Sequence, residues 1–98
     1  MKEIALHDRP REKLERSGAG ALGDNELLAL LIGHGGRKSD ALSAANDLLA
    51  AVGGVHRLPK WHRAQFQQVS GIGPAQASRI IAAVELGRRT LTTPEQVR

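Results

Sequence analysis

The sequence predicts an all-α fold, a small bundle of about five helices arranged as two successive helical hairpins. Three observations predict it. The apolar residues, 41% of the chain, are almost all Ala, Leu, Ile and Val, and aromatics make up only 2%, namely Trp61 and Phe66. Apolar positions recur at three- and four-residue spacing, as at Ala41, Ala45, Leu48 and Val52, and again at Ala77, Ile80, Ile81 and Val84. Glycine-containing segments separate these stripes, at 33–36, 53–54 and 71–73. A length of 98 residues suits one small domain.

The elements follow in chain order. Residues 1–8 read as extended or loosely ordered. A short helix runs from Arg9 to Arg16, with Pro10 near its start and Gly18 stopping it; Leu14 is its single large apolar residue and belongs at the domain surface. Gly23-Asp24-Asn25-Glu26 opens a second helix, Leu27 to Ile32. Asp24 or Gly23 caps it and Glu26 suits its first turn. Leu27, Leu28, Leu30, Leu31 and Ile32 leave this helix no polar face, which predicts a central, enclosed position. A basic glycine-rich loop, residues 33–39, leads to a third helix from Asp40 to Val52, ended by Gly53-Gly54. Val55 to Pro59 reads as a helical turn, with Trp61 covering the edge of the core. A fourth helix spans His62 to Val69, and a long fifth one starts at Pro74 and breaks at Thr92-Thr93-Pro94.

The chemistry concentrates between the last two helices, in Val69-Ser70-Gly71-Ile72-Gly73-Pro74-Ala75. Glycines permit positive φ and close backbone approach, Pro74 suits a first helical position, and Ile72 plugs the turn into the core. The amides of Gly71, Gly73 and Ala75 fall at or near a helix start, where intrahelical acceptors are lacking. Free N–H groups at the positive end of a helix macrodipole attract anions, and no side chain at 71 or 73 keeps a phosphate away. A plain turn whose glycines serve only geometry is the bland alternative.

This segment resembles a helix-hairpin-helix motif, known members of which grip the DNA backbone without reading sequence. The resemblance rests on Gly71-Ile72-Gly73 followed by Ala77 and Ile80. It implies DNA contacts at Gly71, Ile72, Gly73, Ala75, Gln76 and Arg79. Gln76 is neutral where many members carry Lys or Thr. The second and third helices read as a degenerate copy of the same motif with a longer loop, in which Arg37 and Lys38 offer further phosphate contacts. The whole is then a paired helix-hairpin-helix arrangement, one hairpin degenerate and one well formed.

Charge supports an anionic partner. Residues 1–53 sum to −1 and residues 54–98 to +5, so the half with the glycine corner is the positive half.

Four phrases occur in order: Arg9-Pro10-Arg11-Glu12-Lys13-Leu14, Asp24-Asn25-Glu26-Leu27-Leu28-Ala29-Leu30-Leu31, Gly71-Ile72-Gly73-Pro74-Ala75 and Ala83-Val84-Glu85-Leu86-Gly87-Arg88-Arg89. Together they are similar to the N-terminal region of the RadC family, bacterial proteins with a DNA-repair label. In that family a JAMM (MPN) metal-dependent hydrolase domain follows, and its His-containing zinc signature is absent from this sequence. The resemblance implies a helix-hairpin-helix domain over residues 1–91, with residues 92–98 beginning a linker to a further domain. It implies no catalytic constellation and no cofactor in this chain, zinc being expected only in that further domain. His7, His34, His56 and His62 show no ligand spacing.

Further expectations concern the setting. There is no cysteine, no apolar run of membrane-spanning length and no signal-peptide core, and a cytoplasmic, bacterial setting is expected. A base-excision glycosylase, which shares the paired hairpins, is disfavoured because Leu91-Thr92-Thr93 occupies the stretch where the catalytic Asp belongs. A docking module, for the chain's own further domain or a repair partner, is the second reading, with the apolar second helix as its candidate surface.

Overall fold

The computed structural model describes residues 9–33 and 40–92. Within them the chain forms five α-helices and two 3-10 turns, with no strand among the described residues. Helix α1 spans Pro10–Ser17, α2 Asp24–Ile32, α3 Asp40–Val52, α4 Arg63–Gln67 and α5 Pro74–Arg89. The 3-10 turns are Ala19–Ala21 and Val55–Lys60. All-α architecture and a bundle of five helices are as the sequence predicts.

Local chemistry sets most boundaries. Pro10 opens α1, and Gly18, at φ +84°, ends it by donating its N–H to the Leu14 carbonyl at 2.8 Å. The cap of α2 is Gly23, and its N–H is taken by the Glu26 carboxylate at 2.9 Å, the reciprocal half of a capping box. Glu26 also holds Lys13 of α1 at 3.1 Å, and these contacts, the Gly23 amide first, keep its carboxyl below the ordinary range. Gly33 and Gly53, at φ +70° and +90°, close α2 and α3.

The core lies where α2, α3 and α5 meet, with α2 packed on α3, α5 and α1. Phe66, Leu48 and Ile80 are its largest fully enclosed side chains. From α3 come Ala41, Ala44, Ala45, Leu48 and Val52, and from α2 come Leu28, Ala29 and Ile32. Trp61 covers the core edge, as expected, and meets the Phe66 ring edge-on with centroids 5.4 Å apart.

Two expectations need correction. Helix α2 is not enclosed all round: Leu27 is 37% exposed and Leu30 and Leu31 are half-buried, because only the face toward α3 and α5 is covered. Helix α4 is five residues long rather than eight. After Gln67 the chain passes into successive tight turns, Gln68 to Gln65, Val69 to Phe66 and Ile72 to Val69, which redirect it toward α5.

Removing the ring in Phe66→Ala leaves a void at the junction of α4 with the core. Urea denaturation of the variant is expected to show a loss of about 3–5 kcal/mol, most of the stability of a domain this size.

Candidate nucleic-acid interface

The corner between α4 and α5 is built by one glycine in particular. Gly71 sits at φ +90°, and a Cβ placed on it would stand 3.0 Å from the Ala44 methyl of α3. It therefore needs glycine twice, for its conformation and for its contact with α3. Ile72 follows, 4% exposed, and anchors the turn in the core while donating its N–H to the Val69 carbonyl at 3.1 Å. Gly73 lies at φ −96°, open to any residue, so its lack of a side chain is not a conformational requirement. Pro74 begins α5.

The amide inventory differs in part from the one expected. The Gly73 N–H is donated to the Gln76 side-chain oxygen at 3.0 Å, so it is not free. This is the same reciprocal capping seen at Gly23 and at His62, and it turns Gln76 back onto the corner. The N–H groups of Gly71, Ala75 and Gln76 have no acceptor among the described residues. Gly71 and Ala75 are exposed, and Gln76 is half-buried. Three free amides therefore surround the start of a 16-residue helix, with the Gln76 amide replacing that of Gly73.

Arg79 has a task that the sequence does not reveal. Its guanidinium donates to the Leu31 carbonyl at 2.7 Å and to the Ile32 carbonyl at 2.9 Å. These oxygens belong to the last turn of α2, whose carbonyls have no donor within the helix and carry the negative end of its dipole. The clasp pins α5, one turn past the corner, to the start of the α2–α3 connection at Gly33, whose absent Cβ would lie 3.6 Å from the guanidinium. The first turns of α5 thus sit beside the C-terminal end of α2. Arg37 and Lys38, expected to contact phosphate from that connection, lie outside the described residues.

The cations that follow α3, Arg79 apart, form two groups among the described residues. Arg88 and Arg89 both grip Glu85, at 2.7 and 2.9 Å, and hydrogen bonding from Arg88 and then Arg89 holds its carboxyl at about 2. Arg57, Lys60 and Arg63 have no acidic partner among the described residues. Sequence reasoning passed over these three. The signal was present, since no Asp or Glu occurs from Leu48 through Val84. Among the described residues no cluster of His, Cys, Asp or Glu is placed to hold a metal ion, and no polar side chain is buried. No described helix is long and apolar enough to cross a membrane.

The UPF0758 N-terminal family matches residues 1–78. Similar curated proteins include a UPF0758 protein of Rubrobacter xylanophilus, 43% identical over 91% of this chain and 39% of its own length. Others come from Desulforudis audaxviator, 40% identical over 96% of this chain and 41% of its own, and from Listeria monocytogenes, 42% identical over 96% and 42%. The chain thus spans about two fifths of the length of these relatives. No solved structure matches.

Replacing the clasp in Arg79→Met leaves two carbonyls of α2 without their donor. Chemical denaturation is expected to report a loss of about 1–3 kcal/mol. Arg79→Lys is expected to recover only part of it, because a single ammonium does not reproduce the two-pronged guanidinium.

Proposed function

The chain belongs to the UPF0758 family, whose N-terminal region it supplies, and from that membership and the open glycine corner we propose that it is a DNA-binding module without sequence preference. The observation that carries the proposal is the set of unpaired amides of Gly71, Ala75 and Gln76 at the exposed start of α5. A phosphate seated there accepts hydrogen bonds from the backbone and meets the positive end of the helix dipole. Backbone donors read no base, so the ligand is the sugar–phosphate strand of duplex or branched DNA. Ile72 positions the corner from below. Gln76 contributes its amide, while its side chain keeps the Gly73 N–H occupied.

Few contacts imply weak binding. The isolated chain is expected to bind in the nonspecific range, about 10⁻⁴–10⁻⁶ M, with affinity falling steeply as salt rises. The chain itself has no catalytic role in this reading. Zinc chemistry and a DNA-repair role are what the RadC resemblance implies for a further domain, not for this chain, and the setting proposed is the bacterial cytoplasm.

One observation favours a second reading, docking onto the region that follows in the longer relatives. It points to the C-terminal half of α5 rather than to α2. There Ile81, Val84 and Leu91 line a groove of about 440 Å³ with Leu58 and Trp61, and Leu91 is 83% exposed. Loss of association with that region in Ile81→Glu, at unchanged DNA affinity, marks this face as the docking surface.

Gly73→Asp separates folding from binding at the corner. Its φ tolerates a side chain, the Gln76 terminus at 3.1 Å is free to swing away, and Asp is a better helix cap than Gly by a few tenths of a kcal/mol. The carboxylate occupies the free amides and repels phosphate. The variant is expected to melt at or above the parent temperature and to bind duplex DNA about tenfold more weakly, or worse. Unchanged affinity in a fluorescence-anisotropy titration contradicts the proposal.

A further inference from the structure

Resting on the DNA-binding reading, we propose that the 3-10 turn Val55–Lys60 and its junction with α4 form a second contact for the nucleic-acid backbone, remote from the glycine corner. Arg57, Lys60 and Arg63 supply the cations and Trp61 the fixed wall. These residues stand on one short stretch, all three cations are exposed, and none has an acidic partner among the described residues. Val52, His56, Arg57, Lys60 and Trp61 line an open cavity of about 460 Å³.

The contrast with the rest of the molecule carries the argument. Lys13 is tied to Glu26, Arg88 and Arg89 to Glu85, and Arg79 to the end of α2, while Arg9 is a single exposed cation without an acidic partner among the described residues rather than one of a cluster. A merely solvated surface intersperses both signs of charge. Here no Asp or Glu occurs from Leu48 through Val84, and the nearby Glu85 is committed to Arg88 and Arg89, so no carboxylate pairs with these cations among the described residues. Such a site gains most from a polyanion, which supplies several negative charges at once and releases its counterions.

The support is rigid. Leu58 is 6% exposed and roots the turn in the core, and Trp61 is held edge-on by Phe66. The Trp61 indole N–H has no acceptor among the described residues and is not sealed from solvent. It is one more donor beside the cations. Helix α3 spans the distance to the corner. Ala44 meets Gly71 and Val52 lines the cavity, eight positions on, which is roughly 12 Å of helix rise. That rise corresponds to only about three or four base pairs of duplex.

Trp61 is the one tryptophan of the chain, so its emission reports on the surface it borders, this cavity on one side and the groove with Ile81 and Val84 on the other. The test titrates the full chain with a short fluorescent duplex, reading anisotropy between about 50 and 200 mM salt together with Trp61 emission. It compares the parent, the triple variant R57Q/K60Q/R63Q and G73D, with circular dichroism confirming that each is helical. The triple variant is expected to lower the slope of log affinity against log salt by about 2.7 and to abolish the DNA-induced change in Trp61 emission. G73D is expected to keep that change at higher DNA concentration. If the triple variant binds with parent affinity and slope while G73D is weakened, the second contact is refuted and the corner reading stands. If the triple variant loses binding while G73D keeps it, the second contact stands and the corner reading falls. A parent chain that fails to bind DNA overturns both. Tighter binding of polyglutamate than of duplex, with the same loss in the triple variant, assigns the patch to an acidic protein and likewise overturns the inference.

Discussion

The approach of Gly71 to Ala44 is the constraint on which the arrangement of the second hairpin depends. Only a residue without Cβ, at positive φ, suits the turn that leaves α4, because a Cβ at 71 would stand 3.0 Å from the α3 methyl. That contact fixes where α5 begins and in which direction it runs. Ile72 then falls into the core and Pro74 takes the first helical position. The Arg79 clasp completes the geometry by tying α5 to the end of α2. The backbone donors of Gly71, Ala75 and Gln76 are left without acceptors among the described residues as a consequence of how the helices pack. Any role they take in holding an anion is a by-product of that packing.

Polar groups in this molecule are largely committed to one another, and the exceptions are informative. Capping by Glu26, Gln65 and Gln76 closes one amide at the start of each of three helices. Arg79 closes two carbonyls at the other end of one of them, α2. Among the groups that remain open, two sets bear on a phosphate backbone. One is the trio of amides at the start of α5. The other is the trio of cations around Val55–Lys60, in a stretch without a single carboxylate. Both lack what a phosphate backbone provides.

Much of the fold was legible because it is written in local chemistry. Helix α3 has the bounds that its Ala-rich stripe and Gly53 predict, and Pro74 marks the start of α5. Ile72 as a core plug and Trp61 as a lid on the core edge follow from their being large apolar residues beside short turns. What was not legible depends on three-dimensional pairing. Nothing in the sequence says that Arg79 reaches Leu31 and Ile32, more than forty positions away. Gln76 closing the Gly73 amide was readable in principle, since a Gln at the third helical position is a capping-box signal; its departure from the family's Lys drew attention to charge instead. Helix α2 misled because an all-apolar stretch implies enclosure, whereas a small domain has too few neighbours to cover every face. The run without acids was countable, but the unpaired state of Arg57, Lys60 and Arg63 required the structure.

The central claim is that particular backbone amides at the start of α5 hold the phosphate. Amide chemical-shift mapping during titration with a short duplex at low salt tests it most directly. The account predicts the largest shifts at Gly71, Ala75 and Gln76, a smaller one at Gly73 because its N–H is already bonded to Gln76, and loss of all of them at high salt. Saturable binding that leaves these amides unmoved while shifts gather on α1 or α2 contradicts it.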